Sequence, residues 1–504
     1  MWKKPAFTLV AVCLALLIAE TTARIAETGF SKKTPETAEN LGWQPRFFNS
    51  FLGWHESDPE LLWKFKKNIN NPLIKTNSQN LLGDEIPNEK EKNVFRILLL
   101  GDSSPVGLGL KSRNQAFGEI LRYMLDLEFH GNRKFELINA AVSGYSSEQI
   151  WRFLQKKGWV LQPDLVLLYC GNNDASISGQ CRDLDLFQKQ RLKNIRRLCS
   201  HSALYRILKN LLLSLSGTDA PEAHSLKLRV PPERYTENLE NIIEQCHRHN
   251  CPLIILKPPV PLLWPAGLQF RALAHVSDES GELIFPDELR LLLRRPLKYC
   301  INPEMFHKLY GEGDVFTRTV YGSAHTDTLP SDSVASLYLR QLEEEPEDPG
   351  AANNLGVYCW GIKDYVKADS LLRKARSNYM KHHDAESNCG AVAAGSPFLF
   401  NIGINLLSQS GSDSSLFDTS SDVYKYLDSA CQADYFSLRI KRSYQRIIDS
   451  LSELKKIYMI DLPKLFATER NEALFIDHCH PTAEGHRMIA SAILETIVKN
   501  KIVK

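Results

Sequence analysis

An excess of charge of either sign is missing from this chain. Its 504 residues carry 61 Lys and Arg against 59 Asp and Glu, a formal net charge of +2. That balance removes any bulk electrostatic argument for nucleic acid or an acidic polymer as partner. Paired cysteines are missing too: among eleven cysteines there is no C-x-x-C spacing that would announce zinc or a redox dithiol. A comfortable membrane span is also lacking at the N-terminus, where the run AFTLVAVCLALLIA (Ala6 to Ala19) falls short of the roughly 20 apolar residues a bilayer asks for. What remains, 43% apolar and 24% charged, excludes a disordered chain and leaves room for two or three domains.

The short apolar run still carries information. Lys3 and Lys4 precede it, and Thr21-Thr22-Ala23 follows as a weak cleavage site. Residues 1–23 therefore read as a signal peptide or an uncleaved N-terminal membrane anchor, with the basic flank cytoplasmic and the body on the far side. The expected location is non-cytoplasmic, periplasmic or extracellular. Cys246 and Cys251 could pair in an oxidising compartment, but buried free thiols are the expectation.

From residue 93 onward, apolar strands alternate with helical patterns. FRILLLGDSS (Phe95 to Ser104), FELINAAVSG (Phe135 to Gly144), DLVLLYCGNND (Asp164 to Asp174), PLIILKPP (Pro252 to Pro259) and IYMIDLPKLF (Ile457 to Phe466) read as five strands. Helices are expected over Gln115 to Phe129, after Ser146, over Pro232 to Arg248 and over Thr482 to Val498. Apolar strands buried on both faces, alternating with helices, predict a parallel sheet in an α/β architecture, with ligand sites at the strands' carboxyl ends.

Two insertions interrupt this pattern. Residues 175–230 contain a Leu-rich basic stretch, expected as a lid helix packed on the core rather than a membrane-surface helix. Residues 261–430 are too long for a loop. Within them, Leu355, Gly356, Tyr365, Ala368, Leu372 and Ala375 fall at the positions of a tetratricopeptide repeat, with weaker matches on both sides over about 330–434. Residues 24–92 form an N-terminal extension, and 431–504 complete the first domain.

The chemistry-bearing groups lie at the strand ends. Ser103 follows the first strand, and a serine there needs a base, an orienting acid and oxyanion donors to become a nucleophile. Near the other end of the chain, FIDHCHPTAEGH packs Asp477, His478, Cys479, His480 and His486 into twelve positions. Asp477 can turn back on the Nδ1 of His480 and leave Nε2 free to take a serine proton. Gly144 can present an N–H with no Cβ in the way, and the Asn173 amide can add a donor. Zinc held by His478, His480 and His486 is the competing reading, weakened by Pro481 and the lack of a fourth group. Asp102 and Asp174 are expected to tie their own loops. His478 is expected to be a solvated neighbour or a contact behind Asp477, and His486 a structural residue.

The blocks GDSS, NAAVSG, GNND and DHCH, in that order, resemble the four signature blocks of the SGNH hydrolases, the GDSL-type esterases and lipases. The resemblance covers roughly residues 93–260 and 431–500, and departs from the family where Ser104-Pro105 follow the serine. It implies a three-layer α/β/α flavodoxin-like sandwich, with the helical repeats as an all-α insertion between the fourth and fifth strands. Ser103 would be the nucleophile, His480 the general base and Asp477 its orienting acid. The Ser103 N–H, Gly144 and Asn173 would form the oxyanion hole. No metal or cofactor is implied. The expected substrate is an ester on a glycan or lipid, with acyl transfer to a polysaccharide as the alternative chemistry. A vestigial hydrolase serving as a repeat-based scaffold is the alternative of another class.

Overall fold

The computed structural model describes residues 54–176 apart from 72, 73, 88, 131 and 132, then 182–188, 202–204, 228–263, 332–381, 396–411, 418–433, 439–467 and 474–503, together with 19–22 and 24. Residues 1–18 of the N-terminal segment, most of the stretch expected as a lid helix within 175–230, and 264–331 lie outside these residues. Among the described residues no helix is long and apolar enough to cross a membrane.

Two short strands, β1 (His55–Asp58) and β2 (Leu62–Phe65), make an antiparallel hairpin within the N-terminal extension. Asp58 shapes its turn, its carboxylate accepting the Glu60 and Leu61 N–H groups. The main sheet follows: β3 (Val94–Gly101), β4 (Lys134–Asn139), β5 (Leu165–Tyr169), β6 (Leu253–Lys257) and β7 (Tyr458–Asp461). All four pairings are parallel and the spatial order is β4-β3-β5-β6-β7. Numbered along the chain this is 2-1-3-4-5, a doubly wound order whose switch point lies beside β3.

Every residue of β3, β5 and β6 is buried, as expected for strands covered on both faces. The helices divide by strand parity. Leu98, Leu100, Val166 and Leu168 face one apolar core, formed with α3 (Ser147–Phe153), α4 (Pro232–Arg248) and α10 (Arg442–Lys455). Ile97, Leu99, Leu165 and Leu167 face the other, formed with α2 (Phe117–Glu128), α11 (Leu462–Ala467) and α12 (Ala483–Lys499). The result is three layers. Lys257, at the end of β6, pairs with Asp461 of β7 at 2.8 Å and Asp449 of α10 at 2.7 Å, tying sheet and helix together.

Three expected boundaries move, each for a local reason. The strand expected to run to Gly144 stops at Asn139, whose side chain accepts the Ala141 N–H and donates to the Pro105 carbonyl. The one expected to run to Phe466 stops at Asp461, whose carboxylate caps α11 by accepting the Lys464 N–H. The third strand gives way after Tyr169 to the Gly171–Asp174 turn.

Between β6 and α10 the described residues form five further helices: α5 (Asp332–Glu344), α6 (Pro349–Gly361), α7 (Tyr365–Lys381), α8 (Ser396–Ser410) and α9 (Asp422–Ala433). They build a separate apolar cluster that includes Val357, Leu372, Phe400 and Leu427. A Cβ on Gly356 would stand 2.8 Å from Leu372 Cδ2, so glycine is what lets α6 and α7 approach. The six described cysteines are buried free thiols, Cys246 and Cys251 among them.

Candidate active site

The site forms where β3, β4 and β5 deliver their carboxyl ends. After β3, Asp102 caps the one-turn helix α1 (Ser103–Val106) by accepting the Ser104 N–H at 2.9 Å, which puts Ser103 at the first helical position. Gly101 makes this turn possible, because a Cβ there would lie 2.7 Å from the Tyr169 carbonyl oxygen. The Ser103 N–H donates to no acceptor among the described residues.

The opposite wall comes from the loop between α11 and α12. Asp477 organises it locally. Its Oδ1 accepts the backbone N–H groups of Cys479 and His480 at 2.9 and 2.8 Å, while Oδ2 lies 2.6 Å from His480 Nδ1. An ionised carboxylate only accepts, so the Nδ1 proton points to Asp477 and Nε2 keeps a lone pair. That Nε2 lies 2.7 Å from Ser103 Oγ. Ser103 and His480, separated by 377 positions in the chain, thus meet at hydrogen-bond distance, and all three residues are buried.

Gly144 and Asn173 sit on the two turns beside Ser103. Gly144 has φ +82°, a left-handed conformation favouring glycine, and its N–H donates to no acceptor among the described residues. Asn173 donates one Nδ2 hydrogen to the Tyr145 carbonyl at 3.1 Å, leaving its second amide hydrogen uncommitted. Burial raises the neighbouring Asp174 carboxyl to about 7 and the Asp102 carboxyl to about 6. Both are engaged in loop bonds: Asp174 accepts the Ser147 N–H, and Asp102 accepts from Ser104 and from the Asn172 amide.

The histidines of the zinc alternative do not converge. His486 stacks on Phe117, and its Nδ1 accepts the Phe117 N–H at 3.1 Å; burial lowers its pKa to about 3. Of the two expectations for His478, the solvated neighbour does not hold and the contact behind Asp477 does: the residue is buried with Nδ1 3.7 Å from Asp477 Oδ1, and desolvation holds its pKa well below the ordinary value. The potential ligand atoms that do gather, within 4.8 Å of one another, belong to Asp477, Cys479 and His480. Asp477 and His480 are already engaged with each other and with Ser103. Burial raises the Cys479 thiol well above its usual range, so it stays protonated.

The sequence offered no pointer to Trp63 and Arg229, both buried and both donating to the Gly144 loop. The Trp63 indole N–H donates to the Ser143 carbonyl at 3.0 Å, and Arg229 Nη1 donates to the Gly144 carbonyl at 2.8 Å. Arg229 is held by Asp183 through two contacts of 3.1 and 2.8 Å. Neither residue lies in a strand-end block, and Trp63 is 80 positions from its acceptor.

No family model matches the chain, and no curated protein matches it. Among solved structures it is similar to LAE5, an α/β hydrolase enzyme from the metagenome of Lake Arreo, Spain, at 12% identity, over 79% of this chain and 93% of that one, with a TM-score of 0.31. It is similar to Axe2, an acetylxylan esterase from Geobacillus stearothermophilus, at 10% identity, over 81% and 96%, TM-score 0.30. A third, the psychrotrophic esterase EstA from Pseudoalteromonas sp., is 19% identical over 33% of this chain and 61% of its own, TM-score 0.20. Likenesses at such scores carry no argument about activity; the chemistry rests on the site's own geometry.

Proposed function

We propose that the chain is a serine ester hydrolase of the SGNH type. The observation that carries the reading is the continuous contact Asp477–His480–Ser103, at 2.6 and 2.7 Å, at the switch point of the sheet. In this reading Ser103 Oγ attacks the ester carbonyl carbon as its proton passes to His480 Nε2. The oxyanion is met by the N–H groups of Ser103 and Gly144 and the second amide hydrogen of Asn173. Collapse of the tetrahedral species breaks the C–O bond, and His480 returns the proton to the leaving alcohol. Water, deprotonated by the same imidazole, then releases the acid from the acyl-enzyme. Asp477 holds the imidazole tautomer throughout.

The basic-flanked apolar segment within residues 1–23 is read as export signal or anchor; in that reading the site works outside the cytoplasm on a surface glycan or lipid ester. Helices α6 and α7 are read as a tetratricopeptide-like repeat available to a protein partner.

The test uses a serine-directed fluorophosphonate and p-nitrophenyl esters of increasing chain length on wild type and Ser103→Ala. Wild type should label and turn over, and the variant should do neither, with kcat falling by a factor on the order of 10⁴ or more. Labelling that survives in Ser103→Ala, or an unreactive folded wild type, sinks the reading.

A further inference from the structure

The N-terminal hairpin reaches the loop that carries Gly144, and we infer that Trp63 of β2 is a positioning residue for the oxyanion hole. The inference rests on the hydrolase reading above, in which the Gly144 N–H is a donor. That N–H belongs to the peptide unit whose carbonyl is Ser143's. A trans peptide is planar, with its C=O and N–H directed oppositely. The indole N–H of Trp63, 3.0 Å from the Ser143 oxygen, therefore sets the direction of the Gly144 N–H on the far side of the same plane.

The neighbouring peptide is pinned as well. Arg229 Nη1 donates to the Gly144 carbonyl at 2.8 Å, and the Tyr145 N–H donates back to Val142 at 3.1 Å. With both flanking carbonyls held, the left-handed Gly144 has little freedom to turn its N–H away. A hydrogen bond to a carbonyl also polarises the peptide and strengthens its own N–H as a donor. Trp63 has no freedom of its own. It is 1% exposed; its carbonyl accepts the Tyr145 hydroxyl at 2.8 Å; its ring meets Tyr145 edge-on at 5.9 Å and lies 5.7 Å from the Arg229 guanidinium carbon. Tyr145 in turn accepts the Asn173 amide on its own carbonyl. The hairpin thus supports two of the three donors from behind, without touching substrate.

The experiment compares full-length wild type with Trp63→Phe, and with a variant carrying 3-benzothienylalanine at position 63, which keeps the ring shape but has no N–H. The readouts are kcat and KM for p-nitrophenyl acetate and the inhibition constant of a trifluoromethyl ketone, which adds Ser103 Oγ at its carbonyl to form a hemiketal whose oxyanion occupies the hole. Both variants should lose about 10-fold in kcat, less than the loss of a whole donor would cost. KM should stay within about 3-fold, and the ketone should weaken by the same factor as kcat. A merely structural role would lower active fraction or melting temperature without that proportionality. Should Trp63→Phe fail to fold, the benzothienyl variant decides alone. Unchanged kcat and ketone affinity in a folded variant overturn the inference and leave the hydrolase reading standing. A wild type that neither labels with fluorophosphonate nor turns over overturns both.

Discussion

Replacing Asp477 by Asn separates the catalytic role of its carboxylate from its structural one. Oδ1 accepts two backbone N–H groups, from Cys479 and His480, and an Asn side-chain oxygen can accept both, so the loop keeps its shape. Oδ2 meets His480 Nδ1 at 2.6 Å, and in the variant an NH₂ takes its place. A donor now faces Nδ1, which must give up its hydrogen, and the proton moves to Nε2. The nitrogen that should take the Ser103 proton then has no lone pair to offer. Loss of the correct tautomer costs about 10⁴ in kcat in a triad of this kind. At about 1.4 kcal/mol per tenfold that is roughly 5.5 kcal/mol of transition-state stabilisation. Folding stability should change by less than about 1 kcal/mol, since both loop hydrogen bonds persist. Asp477→Ala, by contrast, strips two buried N–H groups of their acceptor and should lower stability by about 2–5 kcal/mol. The assay pairs kcat on p-nitrophenyl acetate with urea unfolding of both variants. An Asn variant with more than a tenth of wild-type kcat would refute the tautomer argument. One that loses as much stability as the Ala variant would refute the division of labour between the two oxygens.

The buried Asp174 should make stability depend on pH. Its folded pKa is raised from 3.8 to about 7, so the protonated form is the one the fold favours. Its contribution is complete below 3.8 and lost as pH rises through about 7, on the order of 4 kcal/mol in all. Asp174→Asn should thus gain stability relative to wild type between pH 4 and 7 and run parallel above, in urea titrations at each pH; a difference that shrinks with rising pH would contradict this. Gly171→Ala should destabilise by about 2–4 kcal/mol, for two reasons. Its φ is +127°, and a Cβ would stand 2.5 Å from Ile440 Cδ1. Pairing it with Ile440→Val, which removes that atom, should recover about 1 kcal/mol against additivity, while strict additivity would show that φ alone sets the cost.

How far the fold was legible depends on whether its signals are local. The sequence by itself determined the five strands and the buried character of the three inner ones, because Ile97 to Leu100 and Leu165 to Leu168 are apolar at every position, as suits a sheet covered on both faces; β4 and β7, at the edges, are only partly buried. It also determined that Asp477 can reach His480, since three residues and one Asx-type loop suffice. The ends of β4 and β7 were less legible. There the chain turns on side-chain bonds from Asn139 and Asp461, which compete with a strand pattern that apolar periodicity alone would extend. Only the tertiary structure decided that Ser103 and His480 meet, because their contact spans 377 positions and forms when the end of β3 and the loop before α12 close at the carboxyl end of the sheet. The burial of His478, the use of the His486 lone pair on Phe117, and the grip of Trp63 and Arg229 on the Gly144 loop were decided the same way. A backbone carbonyl is the same acceptor at every residue, so no sequence pattern marks which one a distant indole or guanidinium will hold. Packing alone brings them together.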